Sequence, residues 1–569
     1  MLSAIILGGI MKKFGKCFLS TLVAVSLVGC SSSSSTYTAG TYTAEAEGYG
    51  GTVSVTITTD TSSITDVEIT GDKETPTVGG AALEELTNQV KEAQSAEIDG
   101  VSGATYTSNA VKEATEIAIA EAKGEELTKE EDKKEVSEVE ATGLSHGLGI
   151  LASGRLGPGS DDQDVGVYSV NEVIAYVLFD DDGKILDLQI DMLEFATPNY
   201  DGEYMPKLTG FPGQSYNADE DHDEKVDTVL TQDEDSFLEQ VESWKTKRER
   251  GTTYKLDSGT WAEEMDIFQD TFKGLTVEEV EEWYEDYCSD INGRPLHGTS
   301  ENEEDIEKYD ALSDEEKEGL DAISGATISL NDAHGNIIGA IKKAWENKVA
   351  VKADTVSKIG LGVTNIGRVG PGVDDEDVGI YCINTTIVGA CYDEGGNVID
   401  SYADIMEVAT PNYDGEHMPK FTGFPGQSYN ADEDHDEKVD TVLTQDEDSF
   451  LEQIESWKTK RERSDTYKLD SGTWADEMDI FQDTFKGFTS DEIEEWYETY
   501  CSDVNGRPLH GTSENEDDIK KYDALSDEEK EGLDAISGAT ISLNDAHGDI
   551  IGAFKKSWDN AVETKITIS

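Results

Sequence analysis

One segment of this chain is written twice. Asp321 to Gly335 reads DAISGATISLNDAHG, and the same fifteen letters return at Asp534 to Gly548. Gly154-Arg155-Leu156-Gly157-Pro158-Gly159 returns as Gly367-Arg368-Val369-Gly370-Pro371-Gly372, and Thr197-Pro198-Asn199-Tyr200 as Thr410-Pro411-Asn412-Tyr413. Every shift is 213 residues, as from Thr327 to Thr540. A gapless offset of that length describes a long domain copied whole, not a solenoid of short units. It predicts two related domains, 143–350 and 356–563, and 569 residues are enough for each to bury a core.

Each copy opens with strands and continues with helices. Tyr168 to Val177, a turn at Asp180-Asp181-Asp182-Gly183, and Ile185 to Ile190 read as strand–turn–strand. About a hundred residues of helical spacing follow before Ser324. Phe237, Leu238, Val241 and Trp244 form one apolar stripe, and Trp261, Met265, Phe268 and Phe272 another. Thr276 and Glu279 make a capping box that opens a third helix with Val280, Trp283 and Tyr287. Aromatics at this spacing read as core. A smaller unit, 39–123, precedes the copies. Its strands run through Tyr42-Thr43-Ala44, through Val53, Val55 and Ile57, and from Ile64 to Ile69. Its helices carry Leu83, Leu86 and Val90, then Val111, Ala114, Ala118 and Ala122. The expected fold class is α+β: a small antiparallel sheet with helices, then two tandem copies of a related domain with a large helical insertion. Residues 124–142, rich in Glu and Lys, read as a linker spanning about 20–25 Å on average if flexible.

The first thirty residues point to export. Met11-Lys12-Lys13 is a basic start, Phe18 to Val28 is an apolar run too short to span a bilayer, and Leu27-Val28-Gly29-Cys30 looks like a lipobox. Residues 1–30 are thus expected to be a lipoprotein signal peptide starting at Met11, with Cys30 lipidated and 31–38 a Ser-rich tether. That places the chain outside the cytoplasm, anchored to the outer face of the membrane. With 44 basic and 122 acidic residues the net charge is −78, which repels phosphate backbones and excludes nucleic acid as a partner.

No Cys-x-x-Cys pair offers a haem, zinc or iron–sulfur site. Cys382 and Cys391 flank a strand-like run and could bridge two hairpin strands, although their counterparts Ser169 and Leu178 cannot. Asp219 to Glu224, with His222, resembles a cation loop. Glu224 stands where a calcium loop needs Gly and Leu230 where it needs Glu, so the run reads as a solvated acidic loop and no metal is expected. Gly147-x-Gly149 and Gly360-x-Gly362 are too short for a dinucleotide fingerprint.

The motif Asp-x-x-Ser-Gly-Ala-Thr occurs three times: Asp99, Ser102, Gly103, Ala104 and Thr105; Asp321, Ser324, Gly325, Ala326 and Thr327; Asp534, Ser537, Gly538, Ala539 and Thr540. Gly and Ala let a large group approach the backbone. Each threonine is expected at a helix start, where free N–H groups and the positive dipole end favour a phosphate. A plain helix cap is the competing reading, but three copies in two contexts exceed what capping requires. His334 and His547 would then sit about two turns into the helix, as ordinary helix residues.

Asp99 to Ser108 resembles the flavinylation signature of the FMN-binding domain, found in flavin-carrying subunits of sodium-pumping quinone reductases and related ferredoxin-oxidising complexes. The Gly48-Tyr49-Gly50-Gly51 turn and the loop Glu74-Thr75-Pro76-Thr77-Val78-Gly79-Gly80 extend the resemblance over essentially all of 39–123. It implies FMN joined through its phosphate to Thr105, Thr327 and Thr540, up to three flavins, attached by a flavin transferase. The large copies depart from the pattern: Ile328-Ser329-Leu330 replace Tyr106-Thr107-Ser108, and the Glu-Thr-Pro glycine loop is missing. The resulting expectation is a lipid-anchored electron carrier between a membrane donor (a quinone or a dehydrogenase) and an extracellular acceptor. The alternatives are a flavin-dependent reductase of a small molecule and an acidic surface-binding lipoprotein without covalent flavin.

Overall fold

The computed structural model describes residues 37–47, 52–71, 73, 79–96, 98, 101, 104–123, 138–202, 204–254, 256, 259–323, 325–469, 472–536 and 538–569. The chain divides into two compact units, Met1–Glu135 with Leu256–Gly259, and Val136–Lys255 with Thr260–Ser569.

The first unit is a meander of β1 (Gly40–Glu47), β2 (Thr52–Thr59) and β3 (Ile64–Thr70), antiparallel and in that order. Along β2, Val53, Val55 and Ile57 are fully buried while the residues between them are not, the period-two signature of a sheet with one covered face. Helices α1 (Gly79–Ala93) and α2 (Thr105–Lys123) supply the cover. Leu86 and Val90 of α1 and Val111, Ala114, Ala118 and Ala122 of α2 complete the core. The strands and stripes read from the sequence are all present. The alanines at four-residue spacing give α2 a smooth face that lies close to the sheet.

The second unit is built from two sheets. Its elements include, in order, β4 (Val139–Ala141), β5 (Ser145–Ser160), β6 (Gly166–Phe179), β7 (Ile185–Ala196), α3 (Glu234–Glu242), α4 (Trp261–Phe272) and α5 (Ile337–Glu346). The second copy follows with β8 (Val349–Ala350), β9 (Thr355–Val373), β10 (Gly379–Tyr392), β11 (Val398–Ala409), α6 (Glu447–Glu455), α7 (Trp474–Phe485), α8 (Ile550–Asp559) and β12 (Val562–Ile568). One sheet has the order β8-β5-β6-β7 and the other β11-β10-β9-β12-β4, with only β12 and β4 parallel. Strands β6, β7 and β10 are buried on both faces, because helices cover one side and the other sheet covers the second.

The paired glycines seat the outer helices. A Cβ on Gly147 or Gly149 would lie 1.9 Å from the carbonyl oxygens of Ala344 or Ala340 in α5, and Gly360 and Gly362 face α8 in the same way at 2.0 Å. Backbone-to-backbone approach, not nucleotide binding, fixes these positions. Between the sheets, the Tyr176 ring fills the space over Gly389, and its hydroxyl meets His146 Nδ1 at 2.8 Å. Burial pushes the His146 imidazole down to about 3 and leaves it neutral.

The two copies do not fold as separate domains. Each lends a helix to the other's sheet: Gly154 of β5 faces Phe450 of α6, and Gly367 of β9 faces Phe237 of α3. Tyr168 donates to Glu447 and Tyr381 to Glu234, both at 3.0 Å. Gln214 Nε2 donates to the Thr422 carbonyl and Gln427 Nε2 to the Thr209 carbonyl, each at 2.7 Å. One core runs through both copies. Each exchanged phenylalanine is fully buried, which is worth about 1.5–3 kcal/mol, and it packs between its own copy's aromatics, Phe211 for Phe237 and Phe424 for Phe450, and the other copy's sheet. The expected linker ends early as well, since Val139–Ala141 is a strand pairing with Ile566 to Ile568. The hairpin disulfide is excluded: Cys382 and Cys391 lie nine positions apart on the single strand β10, both buried and free. Burial pushes their thiols up to about 12.

Candidate functional site

The motif threonines occupy two different backbone settings. In the first unit, α2 begins on Thr105. First-turn N–H groups have no partners within a helix and carry its positive end, and no acidic residue stands in that turn. The bend into the helix is held from behind. Ala104 is buried, its N–H donates to the Val101 carbonyl at 3.0 Å, and Ser108 Oγ donates to the Ala104 carbonyl at 2.8 Å while accepting from the Val101 N–H at 3.0 Å. The backbone therefore fits an FMN phosphate at Thr105. Asp99, Ser102, Gly103, Glu74, Thr75, Pro76, Ser324, Ser537 and Cys30 lie outside the described residues.

In the copies, no helix starts at the threonine. From Thr327 the chain enters a hairpin pairing Asn331–Asp332 with Gly335–Asn336, and α5 begins only at Ile337, capped by Asn336. The helix onset expected at Thr327 and Thr540 is corrected accordingly. Asp332 accepts from the His334 N–H at 2.8 Å, and Gly335 closes the turn at φ 141°, where a side chain would be strained. His334 and His547 lie in this turn, not on a helix, with Nδ1 2.9 Å from Asp332 and Asp545.

A carboxylate takes the anion seat. Glu264 of α4 accepts from the Thr327 N–H at 2.6 Å, the Thr327 hydroxyl at 3.0 Å and the Ile328 N–H at 3.0 Å. Glu477 of α7 accepts from the Thr540 N–H, the Thr540 hydroxyl at 3.0 Å and the Ile541 N–H at 3.0 Å. Both glutamates are 1% exposed. Two N–H groups and a hydroxyl converging on one point form an anion nest, and here a side chain occupies it. A phosphoester on the same hydroxyl would press a second anion against a buried carboxylate. Thr327 and Thr540 do not fit the flavin phosphate while Glu264 and Glu477 hold these donors. The rest of the motif packs α4 and α7 close: Ala326 and Ala539 are buried, and a Cβ on Gly325 or Gly538 would touch Ile267 or Ile480. Asp321 and Asp534 stand exposed in the last turns of helices Asp314–Ala322 and Asp527–Ala535.

A second charged centre lies along the same helix as Glu264, one turn away at Trp261. Glu194 of β7, 1% exposed, is ringed by Lys247 at 3.2 Å, Arg155 at 3.7 Å and Arg250 at 3.8 Å. In the second copy Glu407 meets Arg463 at 3.4 Å, Lys460 at 3.7 Å and Arg368 at 3.9 Å. Arg250 lies over the Tyr254 ring, and Lys247 faces both Tyr254 and Trp261. Burial alone raises a carboxyl, but Lys247 and Arg250 outweigh it and hold Glu194 below the ordinary value. The sequence reading missed this centre. Its signal is the run Lys245-Thr246-Lys247-Arg248-Glu249-Arg250, repeated at Lys458 to Arg463, which concentrates positive charge in an acidic chain.

The acidic loop brings carboxylates together, with one of the three in each copy buried and two exposed. Asp219, Asp221 and Asp227 converge within 4.8 Å, as do Asp432, Asp434 and Asp440, and Asp219 is buried. Asp219 accepts from the Glu224 N–H at 3.0 Å and Asp227 from the Glu220 N–H at 2.8 Å, so backbone donors already use these oxygens.

Comparison with known proteins agrees with the class drawn from the motif. Residues 48–120 match the family model of the FMN-binding domain. A chlorophenol reductase of Desulfitobacterium hafniense is 31% identical over 223 residues, covering 37% of this chain and 59% of that enzyme. The chain thus spans about three fifths of the length of this curated relative. An FMN-binding domain and a reductase relative together support flavin-associated electron transfer.

Proposed function

We propose that the protein is a lipid-anchored, extracytoplasmic electron carrier whose FMN is esterified to Thr105. The observation that carries this reading is a helix opening on the motif threonine inside a region matching the FMN-binding domain. The bound flavin would supply one- and two-electron transfer. The chain's own part is to offer the α2 N-terminus to the phosphate and keep acidic groups out of that turn. Covalent attachment suits a protein beyond the cytoplasm, where a dissociating cofactor is lost. A flavin transferase would make the bond, Cys30 would tether the chain to the membrane, and electrons would pass from a quinone or dehydrogenase to an extracellular acceptor. Thr327 and Thr540 would join Thr105 as attachment points, up to three flavins, only when Glu264 and Glu477 release the nest.

The likeness to a chlorophenol reductase favours a second reading, a flavin-dependent reductase of a small molecule. Coexpression with a flavin transferase tests both. A fluorescent band after denaturation, lost in Thr105→Ala, supports the attachment. Reoxidation by many unrelated acceptors marks a carrier, whereas saturation with one substrate marks a reductase.

A further inference from the structure

The Glu194 and Glu407 centres hold more positive charge than their carboxylates balance. Each sets three cations around one buried acid, and in the second copy the partly buried Asp545 also acts on Lys460, which still leaves one positive charge over in a chain of net charge −78. An unpaired buried cation is strongly unfavourable, so a purely structural cluster is expected to balance. Charge-assisted N–H···O bonds settle at about 2.7–2.9 Å, whereas the six separations here run from 3.2 to 3.9 Å.

The decisive groups are guanidinium nitrogens. Nε and Nη2 of Arg250, and Nε of Arg463, are buried with no hydrogen-bond partner among the described residues. The arginine side chains are 3% exposed. Their remaining contacts are soft: Nη1 meets a methionine sulfur, Met205 or Met418, at 3.4 Å, and the faces lie over Tyr254 or Tyr467. A guanidinium fork with free donors is the group best shaped for an oxyanion.

We propose that each copy binds a small oxyanion, carboxylate or phosphate, through Arg250 with Lys247 and Arg155, and through Arg463 with Lys460 and Arg368. Arg155 and His334 are the partly exposed members of the neighbourhood, at 15% and 38% of their side chains, and mark the side from which the anion enters. The duplication gives two such sites per chain. They require no flavin.

The test is thermal unfolding of the full chain with sodium phosphate or sodium benzoate, at ionic strength fixed with chloride. Binding raises the melting temperature saturably, by roughly 5 °C at a hundredfold excess over Kd. Response to phosphate alone assigns an inorganic or phosphate-ester ligand, and response to benzoate alone an organic acid. Arg250→Met with Arg463→Met abolishes the rise but melts no lower than the parent without added anion, since the buried positive charge in excess of the local acid has been removed while Lys247 and Lys460 still pair with it. Should that pair not fold, Arg155→Met with Arg368→Met carries the same test. Thr105→Ala keeps the rise, which separates this site from the flavin assignment. No saturable rise with either anion, or a rise that survives loss of the arginines, overturns the proposal.

Discussion

Replacing Glu172 by Gln isolates the cost of burying one acid between the sheets. Glu172 lies on β6, 2% exposed, where the second copy has Thr385. Its Oε2 has no hydrogen-bond partner among the described residues. Burial pushes the carboxyl from 4.5 up to about 7, with the Thr385 hydroxyl pulling weakly the other way. At about 1.4 kcal/mol per unit, that shift amounts to about 3 kcal/mol. The acid keeps its proton in the folded chain up to about pH 7 and loses it near 4.5 when unfolded. Its contribution to stability therefore falls as pH rises through that window, and the penalty is complete above it. His146, held neutral, shifts stability in the opposite sense between about 3 and 6.5, but it is common to parent and variant and cancels in their difference. Urea unfolding followed by tryptophan fluorescence at several pH values gives that difference directly. The stability of Glu172→Gln relative to the parent should grow by about 3 kcal/mol from pH 4.5 to pH 8. A difference constant to within about 0.5 kcal/mol across that range refutes the reasoning.

Two further predictions concern the joined copies and their motifs. Gln214→Ala with Gln427→Ala strips reciprocal bonds to the Thr422 and Thr209 carbonyls and should cost about 1–3 kcal/mol per site in urea unfolding, with one cooperative transition retained; a cost under 0.5 kcal/mol would falsify the role of that exchange. Glu264→Ala with Glu477→Ala frees the anion nests and should raise flavin content above the parent's after coexpression with a flavin transferase. Equal flavin content in both would show that the carboxylates do not guard Thr327 and Thr540.

The sequence exposed what repeats or alternates. Val53, Val55 and Ile57, the aromatic stripes and the Thr276–Glu279 capping box all appear where their spacing puts them, because local periodicity decides which face is buried. Pairings between distant segments were hidden. A gapless duplication reads the same whether the copies stand apart or trade α3 and α6, since each helix keeps its apolar face and only the partner sheet changes. Glu264 was invisible for a similar reason: it meets Thr327 across 63 positions, from a helix in which it is one more acid. The motif misled in the two copies, because Asn331 to Asn336 form a hairpin that helical spacing cannot distinguish from a first turn.

The central claim is a flavin phosphate joined to the hydroxyl at the head of α2. Intact mass of the chain, matured with a flavin transferase, weighs it directly, and the account predicts one added FMN that disappears in Thr105→Ala. A mass equal to that of the processed polypeptide and its lipid, or an added FMN that persists in Thr105→Ala, contradicts it.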